Sequence, residues 1–376
     1  MVPKIRFKSF SASLGKHKIE DILARFVSPV SVSKIGKYRE IGIRSHGRGL
    51  FHKEEVSGAE LGNKRVFWIK KDAVIFNIVF AWEQAVAITS SKDEGCIASH
   101  RFPMYLPKDN KCNTDYIRRY FLTKKGKYLL ELASPGGAGR NKTLGQKNFD
   151  ELVVTIPDVT EQTKIADFLS SVDEKITLLN KQYDLVCQYK KGMMQKIFSQ
   201  EVRFKDENGK EFPGWDRKFI GNILKIGSGR DYKHLNDGNV PVFGTGGFMT
   251  MVDQFLFEGE TVCIGRKGTI DKPFYYNGKI WTVDTLFYTH EFKGVHPKFV
   301  YQLFLTINWK EYNEASGVPS LSKNTIEKIE VNIPCLSEQN KISSYLSALD
   351  DKIAVKKAEL NKLKTWKQGL LQQMFV

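Results

Sequence analysis

The chain has 376 residues, 58 Lys and Arg against 42 Asp and Glu, and a formal net charge of +16. That length implies two or three domains, and 41% apolar with 12% aromatic residues excludes a disordered chain. No apolar run is long enough to span a bilayer, and the opening MVPKIRFKSF lacks a signal-peptide core, so a soluble cytoplasmic protein is expected.

Residues 1–156 read as a first globule. KIEDIL (18–23) opens it, and short β-rich runs broken by glycine fill it, as in VFWIKKDAVIFNIVFAW (66–82). The stretch RSHGRG sets Arg44, His46 and Arg48 beside glycines. Arginine can bond a guanine edge bidentately and glycine lets backbone approach phosphate; the alternative is a surface turn with solvated charges. GAGRNKT (137–143) offers Arg140, Asn141 and Lys142 as a phosphate clamp or, equally, a flexible loop. The run LVVTIP (152–157) is a strand that exits through proline.

Residues 157–199 read as a long helical rod. Thr160 is an N-cap candidate, and Glu161 in the first turn suits the helix dipole. Ile165, Leu169, Val172, Ile176, Leu179, Tyr183 and Val186 form a heptad seam that meets Lys190 and resumes at Met193 and Ile197. At 1.5 Å per residue the rod is roughly 60 Å long. Residues 200–219, with Asn208-Gly209 and FPGW (212–215), read as a turn-rich linker.

Residues 220–333 read as a second globule, opened by FIGNIL (219–224). Here SGRDYKH offers Arg230, Tyr232, Lys233 and His234. GTGG offers backbone amides at Thr245, Gly246 and Gly247, and IGRKGT offers Arg266 and Lys267. For each, contact with a polyanion competes evenly with a structural turn. Ser320 and Lys323 in SLSKNT are weaker candidates. Trp68, Trp82 and Trp281 lie in apolar runs and are expected in the core.

Residues 334–376 form a second rod, and it repeats the first. With Pro157 aligned on Pro334, no gap is needed to the chain end. EQTKIADFLSSVDEKI (161–176) lies over EQNKISSYLSALDDKI (338–353), and Lys190, Gly192, Gln195 and Phe198 fall on Lys367, Gly369, Gln372 and Phe375. Ser337 is the matching cap candidate, and Ile342, Leu346, Leu349, Ile353, Leu360 and Leu363 form the seam, with Lys356 interrupting. A helix with one apolar stripe needs a partner, so the rods are expected to pack antiparallel on each other. The matched glycines imply a kink, a close contact or a simple weakness late in the helix. IRF (5–7) and VRF (202–204) echo each other upstream. The frame is duplicated while the globule interiors differ, the design expected of two unlike readers held at a fixed separation.

On these residues the chain resembles the specificity subunit of type I restriction-modification systems over essentially its whole length. The resemblance rests on the repeated EQxKIxxxLxxxDxKI rods, with YREIGIRSHGRGLFHKEEV (38–56), FAWEQAVA (80–87) and SPGGAGRNKTL (134–144) in the first globule. VPVFGTGGFM (240–249), VCIGRKGTI (262–270) and WTVDTLFY (281–288) carry it in the second. It implies a mixed α/β protein, pseudo-two-fold symmetric, with two target-recognition globules separated by two long antiparallel coiled-coil helices. The implied role is non-catalytic: reading a bipartite, asymmetric site in double-stranded DNA and docking two methyltransferase subunits, which motor-nuclease subunits can join. S-adenosylmethionine, ATP and Mg2+ would then be bound by those partners and not by this chain. The chain stops at Val376, where some relatives continue, so a ring-closing terminal contact is expected to be reduced.

The basic charge and pI near 9.4 point independently to nucleic acid, against the plainer reading of an ordinary basic surface. Five scattered cysteines (Cys96, Cys112, Cys187, Cys263 and Cys335) form no CxxC pair, and the histidines show no HExxH spacing. Reduced thiols and no metal site are expected. No NPPY-like or Walker A order is present. The alternatives are a nuclease with its own active site, which incubation with DNA and magnesium would reveal, and a stand-alone DNA-binding coiled-coil scaffold.

Overall fold

The computed structural model describes residues 3–136 and 142–375. It divides into two compact units, Met1–Leu179 with Glu359–Val376, and Asn180–Ala358. Two long helices, Val159–Phe198 and Leu336–Met374, each contribute to both units. Among the described residues no helix is long and apolar enough to cross a membrane.

In the first unit, Gly15–Lys18 pairs antiparallel with Val153–Ile156, the strand that feeds the first long helix. Two four-stranded sheets follow. One runs in the order Leu23–Phe26, Met104–Pro107, Val74–Phe76, Val86–Ile88; the other runs Leu50–Ser57, Lys37–Ile43, Ile97–Ser99, Val66–Trp68. Helices Thr114–Phe121 and Lys124–Leu132 complete it. Phe76, Tyr105, Phe121 and Phe149 meet at its centre, with Phe76 and Phe149 centroids 4.8 Å apart. The stripe Ile165, Leu169 and Val172 is buried in the same core as Leu370, Met374 and Phe375, so the start of the first long helix packs on the end of the second.

In the second unit, Asp216–Phe219 pairs antiparallel with Glu330–Ile333. A six-stranded sheet runs Lys225–Ser228, Leu286–His290, Phe257–Gly265, Phe274–Thr282, Val240–Gly244, Gly247–Val252. Helix Pro297–Phe304 lies in the core, and Met194 and Ile197 are buried with Ile342, Leu346 and Leu349. Here the end of the first long helix packs on the start of the second, the arrangement of the first unit with the roles exchanged.

The repeated residues explain themselves as repeated contacts. Glu161 and Glu338 do not face solvent at the helix start: both are buried. Arg6 holds Glu161 in a two-pronged bridge at 2.7 and 2.6 Å. Arg203 holds Glu338 at 3.2 and 2.6 Å, with a third bond from the Trp215 indole. A carboxylate taken out of water needs this pairing. The echo of IRF and VRF is thus the echo of two arginines. Gln162 donates to Pro157 O at 2.9 Å and accepts from Asn113 N at 2.8 Å; Gln339 donates to Pro334 O at 2.8 Å and accepts from His296 N at 2.9 Å. Each glutamine ties the strand exit, the helix start and the loop before a short helix to one side chain. Asp173 bonds Lys367 in one unit, and Lys190 bonds Asp350 at 2.6 Å in the other. Lys190 and its counterpart Lys367 are therefore each paired across the two helices.

Two expectations change, both at the helix starts. The first helix is capped by Asp158, whose Oδ1 accepts from Glu161 N at 3.0 Å, and Thr160 lies inside its first turn. The second begins at Leu336, which places Ser337 inside it too. The helices run unbroken through Gly192 and Gly369. A Cβ at Gly192 would meet nothing within 4 Å, and one at Gly369 only the Gln373 side chain at 3.8 Å, so neither kink nor close packing demands glycine. The segment 212–215 is strapped down: Arg203 bonds Pro213 O at 2.6 Å and Trp215 packs on Phe198 and Phe299.

Gly192→Ala should therefore stabilise the second unit by about 1 kcal/mol, raising Tm by about 2–4 °C in calorimetry; an unchanged or lower Tm would mean the glycine is needed. In the first unit, burial alone would raise the Asp115 carboxyl, but Arg118 and Arg119, bonded at 2.7 Å each, outweigh it and hold it below the usual range. Such a group stabilises the fold above its unfolded pKa, and the gain is lost as pH falls through the depressed value. Below about pH 4 the wild type should lose Tm more steeply than Asp115→Asn; parallel slopes would contradict this.

Candidate nucleic-acid interfaces

In the first unit, RSHGRG forms the tip of the hairpin between Lys37–Ile43 and Leu50–Ser57. The tip needs left-handed backbone, with φ of 60° at His46 and 64° at Gly47. Arg44 N donates to Gly49 O at 3.0 Å, and the Arg44 guanidinium bonds Leu50 O and lies 4.9 Å over the Phe51 ring. Arg44, His46 and Arg48 are exposed.

The tip is bolted to the motif FAWEQ. His46 N donates to Glu83 O at 2.7 Å, Gly47 N to Gln84 O at 3.0 Å, and Ser45 Oγ to Glu83 Oε2 at 2.9 Å. Gln84 in turn donates to Phe121 O and Thr123 O. On the same turn Trp82 carries Lys142 over its ring at 5.5 Å. One short segment thus gathers the hairpin cations and Lys142. Arg140 and Asn141 lie outside the described residues. Trp281 is core as expected, but Trp82 is only half-buried and Trp68, ending a strand at the edge of its sheet, is 38% exposed.

In the second unit the gathering segment is Thr282 to Thr285, within WTVDTLFY. Arg230 N donates to Thr282 O at 2.8 Å, and Val283 N to Phe243 O at 3.0 Å. Arg266 N and Lys267 N both donate to Thr285 O, at 2.8 and 3.2 Å. Thr245 and Gly246 form the tip of the hairpin between Val240–Gly244 and Gly247–Val252. The Thr245 hydroxyl lies 3.6 Å from where a Cβ on Gly268 would sit, which brings that tip against the Arg266–Lys267 loop. Arg230, Lys233 and Lys267 are exposed; Arg266 lies over the Phe287 ring and Tyr232 packs against the apolar cluster that includes Trp281.

Ser320 pairs with Lys267, and Lys323 lines the same recess. Glu314 also lines it. Hydrogen bonds from Thr325 and Ser322 hold the Glu314 carboxyl below its usual range, so it is anionic at neutral pH and opposes a phosphate there. Ser320 and Lys323 are consequently the poorest-placed of the predicted residues.

The structure also reveals a basic recess that sequence reading missed. Lys53, Lys64, Arg65, His100 and Arg101 line it in the first unit, with Phe80 and Phe102. These cations are far apart in the chain and only sheet pairing brings them together, so no local pattern announces them. The Glu40 carboxylate partly neutralises it, bonding Lys53 at 3.3 Å and Lys64 at 3.7 Å.

Comparison with known proteins adds to this geometry. The chain is 25% identical over 331 residues to the MjaX type I restriction enzyme specificity subunit of Methanocaldococcus jannaschii, covering 76% of this chain and 73% of that one. It is 21% identical to the MjaVIII specificity subunit of the same organism, over 71% and 70% of the two chains. Among solved structures it resembles the type I S subunit of M. genitalium with TM-score 0.64, 18% identity and coverage of 100% and 99%. The HsdS subunit of Thermoanaerobacter tengcongensis gives TM-score 0.54, 15% identity and 97% coverage of each chain. At these identities the structural likenesses establish the fold. The model of the type I restriction modification DNA specificity domain matches twice, at residues 36–187 and 213–365. Most of the sequence lies within those two matches, and the chain belongs to the type I restriction-modification DNA specificity family.

Proposed function

We propose that this chain is a non-catalytic subunit that reads a bipartite, asymmetric site in double-stranded DNA, each unit recognising one half-site. One observation carries the reading. Each unit holds its cationic tips on a single gathering segment, 81–84 in one and 282–285 in the other, and the two sets of tips share no sequence although the frames beneath them share their contacts. Unlike readers on like frames suit an asymmetric target.

In this reading the long helices, 40 and 39 residues, set the distance between half-sites and dock two methyltransferase subunits, which motor-nuclease subunits can join. Leu178, Leu185, Tyr189, Val355 and Trp366 are exposed on them and offer apolar surface for docking. S-adenosylmethionine, ATP and Mg2+ belong to those partners.

Exchanging residues 19–156 for the equivalent segment of another family member should change one half-site only, as methylome sequencing of cells co-expressing the methyltransferase would show. A change in both half-sites would oppose the division of labour. Replacing Lys267 or Arg48 with alanine should flatten the dependence of DNA affinity on salt by about one unit of slope each; an unchanged slope would remove that residue from the interface.

A further inference from the structure

The hairpin that carries Thr245 and Gly246 has a second feature. Immediately after the turn, Phe248, Met249 and Met251 are 57%, 49% and 44% exposed. Gly247–Val252 is the edge strand of its sheet, where exposed apolar side chains are ordinarily avoided. The register shifts between Val242 and Phe243 and leaves Met249 with no cross-strand partner, a bulge that re-aims the side chains beside it. A strand with one buried face would hide either Phe248 or Met249; here both project.

The base of this tip is rigid. Phe248 packs edge-on against Phe243 at 6.1 Å, and Phe243 packs on Phe274 and Tyr276 at 5.2 and 5.5 Å. Its surroundings are cationic. Arg230 and the Arg266–Lys267 loop are bonded to the segment 282–285 that also bonds the tip strand at Phe243, and Lys233 lies three residues beyond Arg230. Asp231, the nearest acid on that loop, accepts from the Lys233 amide at 3.4 Å. An apolar projection whose supporting segment also holds Arg230, Arg266 and Lys267, with the exposed Asp284 among them, suits a polyanion with an apolar interior, which describes the stacked bases of a duplex between its phosphates.

We propose that Phe248, supported by Met249, inserts as a wedge between two stacked base pairs of the DNA read by the second unit. Arg230, Lys233, Arg266 and Lys267 hold the phosphates on either side. Apolar side chains used this way unstack a step and kink the duplex, and steps that unstack easily are favoured, so the wedge reads sequence through deformability as well as contact. The inference rests on the DNA-recognition reading above.

The test uses the full chain with its methyltransferase and a duplex recovered from a random-sequence pool by selection on the wild-type complex. Adenines of the half-site read by the second unit are replaced singly by 2-aminopurine, whose fluorescence rises on unstacking. One position should brighten with the wild type. Phe248→Ser should abolish the rise and weaken Kd at least about tenfold, whereas Phe248→Leu, still an apolar wedge, should retain most of both. Lys267→Ala should weaken binding and keep the rise. Matching circular dichroism and Tm for the variants would establish intact folding, and Met249→Ser provides a second probe if Phe248→Ser is not folded. If the complex binds the duplex but no position brightens and Phe248→Ser binds normally, the wedge is wrong while DNA recognition stands. Loss of the methyltransferase from Phe248→Ser would also overturn it, making the tip a protein-docking surface. If selection recovers no duplex, the reading beneath it fails as well.

Discussion

A long helix with one apolar stripe cannot leave that stripe in water, and the architecture of this protein is one answer to that constraint. Each long helix buries the first part of its stripe in one unit and the last part in the other. The first unit is therefore not a continuous stretch of chain, while the second, 180–358, runs without a break from the end of the first helix to the start of the second. The first is complete only when residues 359–376 return to it. The pairing is antiparallel within each unit, and Asp173 with Lys367 and Lys190 with Asp350 make the same cross-helix bond with the roles exchanged.

The second constraint is electrostatic. A glutamate buried at each helix start must be matched, and Arg6 near the start of the chain and Arg203 in the linker match the two. The neighbouring glutamine then binds three backbone groups from different parts of its unit. These contacts fix where the helix leaves the sheet, and so where the loops that carry the cations sit relative to the helix. The cationic tips hang on 81–84 and 282–285, and Ala81 of the first segment is buried in the same core as the long helices.

Much of this frame was legible. The identical Glu-Gln, the seam spacing and the Ile-Pro exits announced two equivalent helices fed by equivalent strands, and the echo at Arg6 and Arg203 was visible before its reason was. The reason was hidden because burial of Glu161 depends on a partner 155 residues away in the chain. Asp158 displaced Thr160 as cap because the helix starts directly after the proline turn. The tips were legible as glycine-rich cationic turns, but their grouping was not. Arg230, Thr245 and Arg266 converge through strand order, and strand order is not local. The recess at Lys64, Arg65 and Arg101 was invisible for the same reason, and Glu314 showed its opposition to Ser320 and Lys323 only once folded.

The most direct test of the account lengthens both helices together. A heptad inserted after Leu179 and another after Ala358 would keep both seams in phase and add about 10 Å. Methylome sequencing should then show a spacer longer by no more than about three base pairs between unchanged half-sites. An unchanged spacer with altered half-sites would contradict the claim that the helices measure and the globules read.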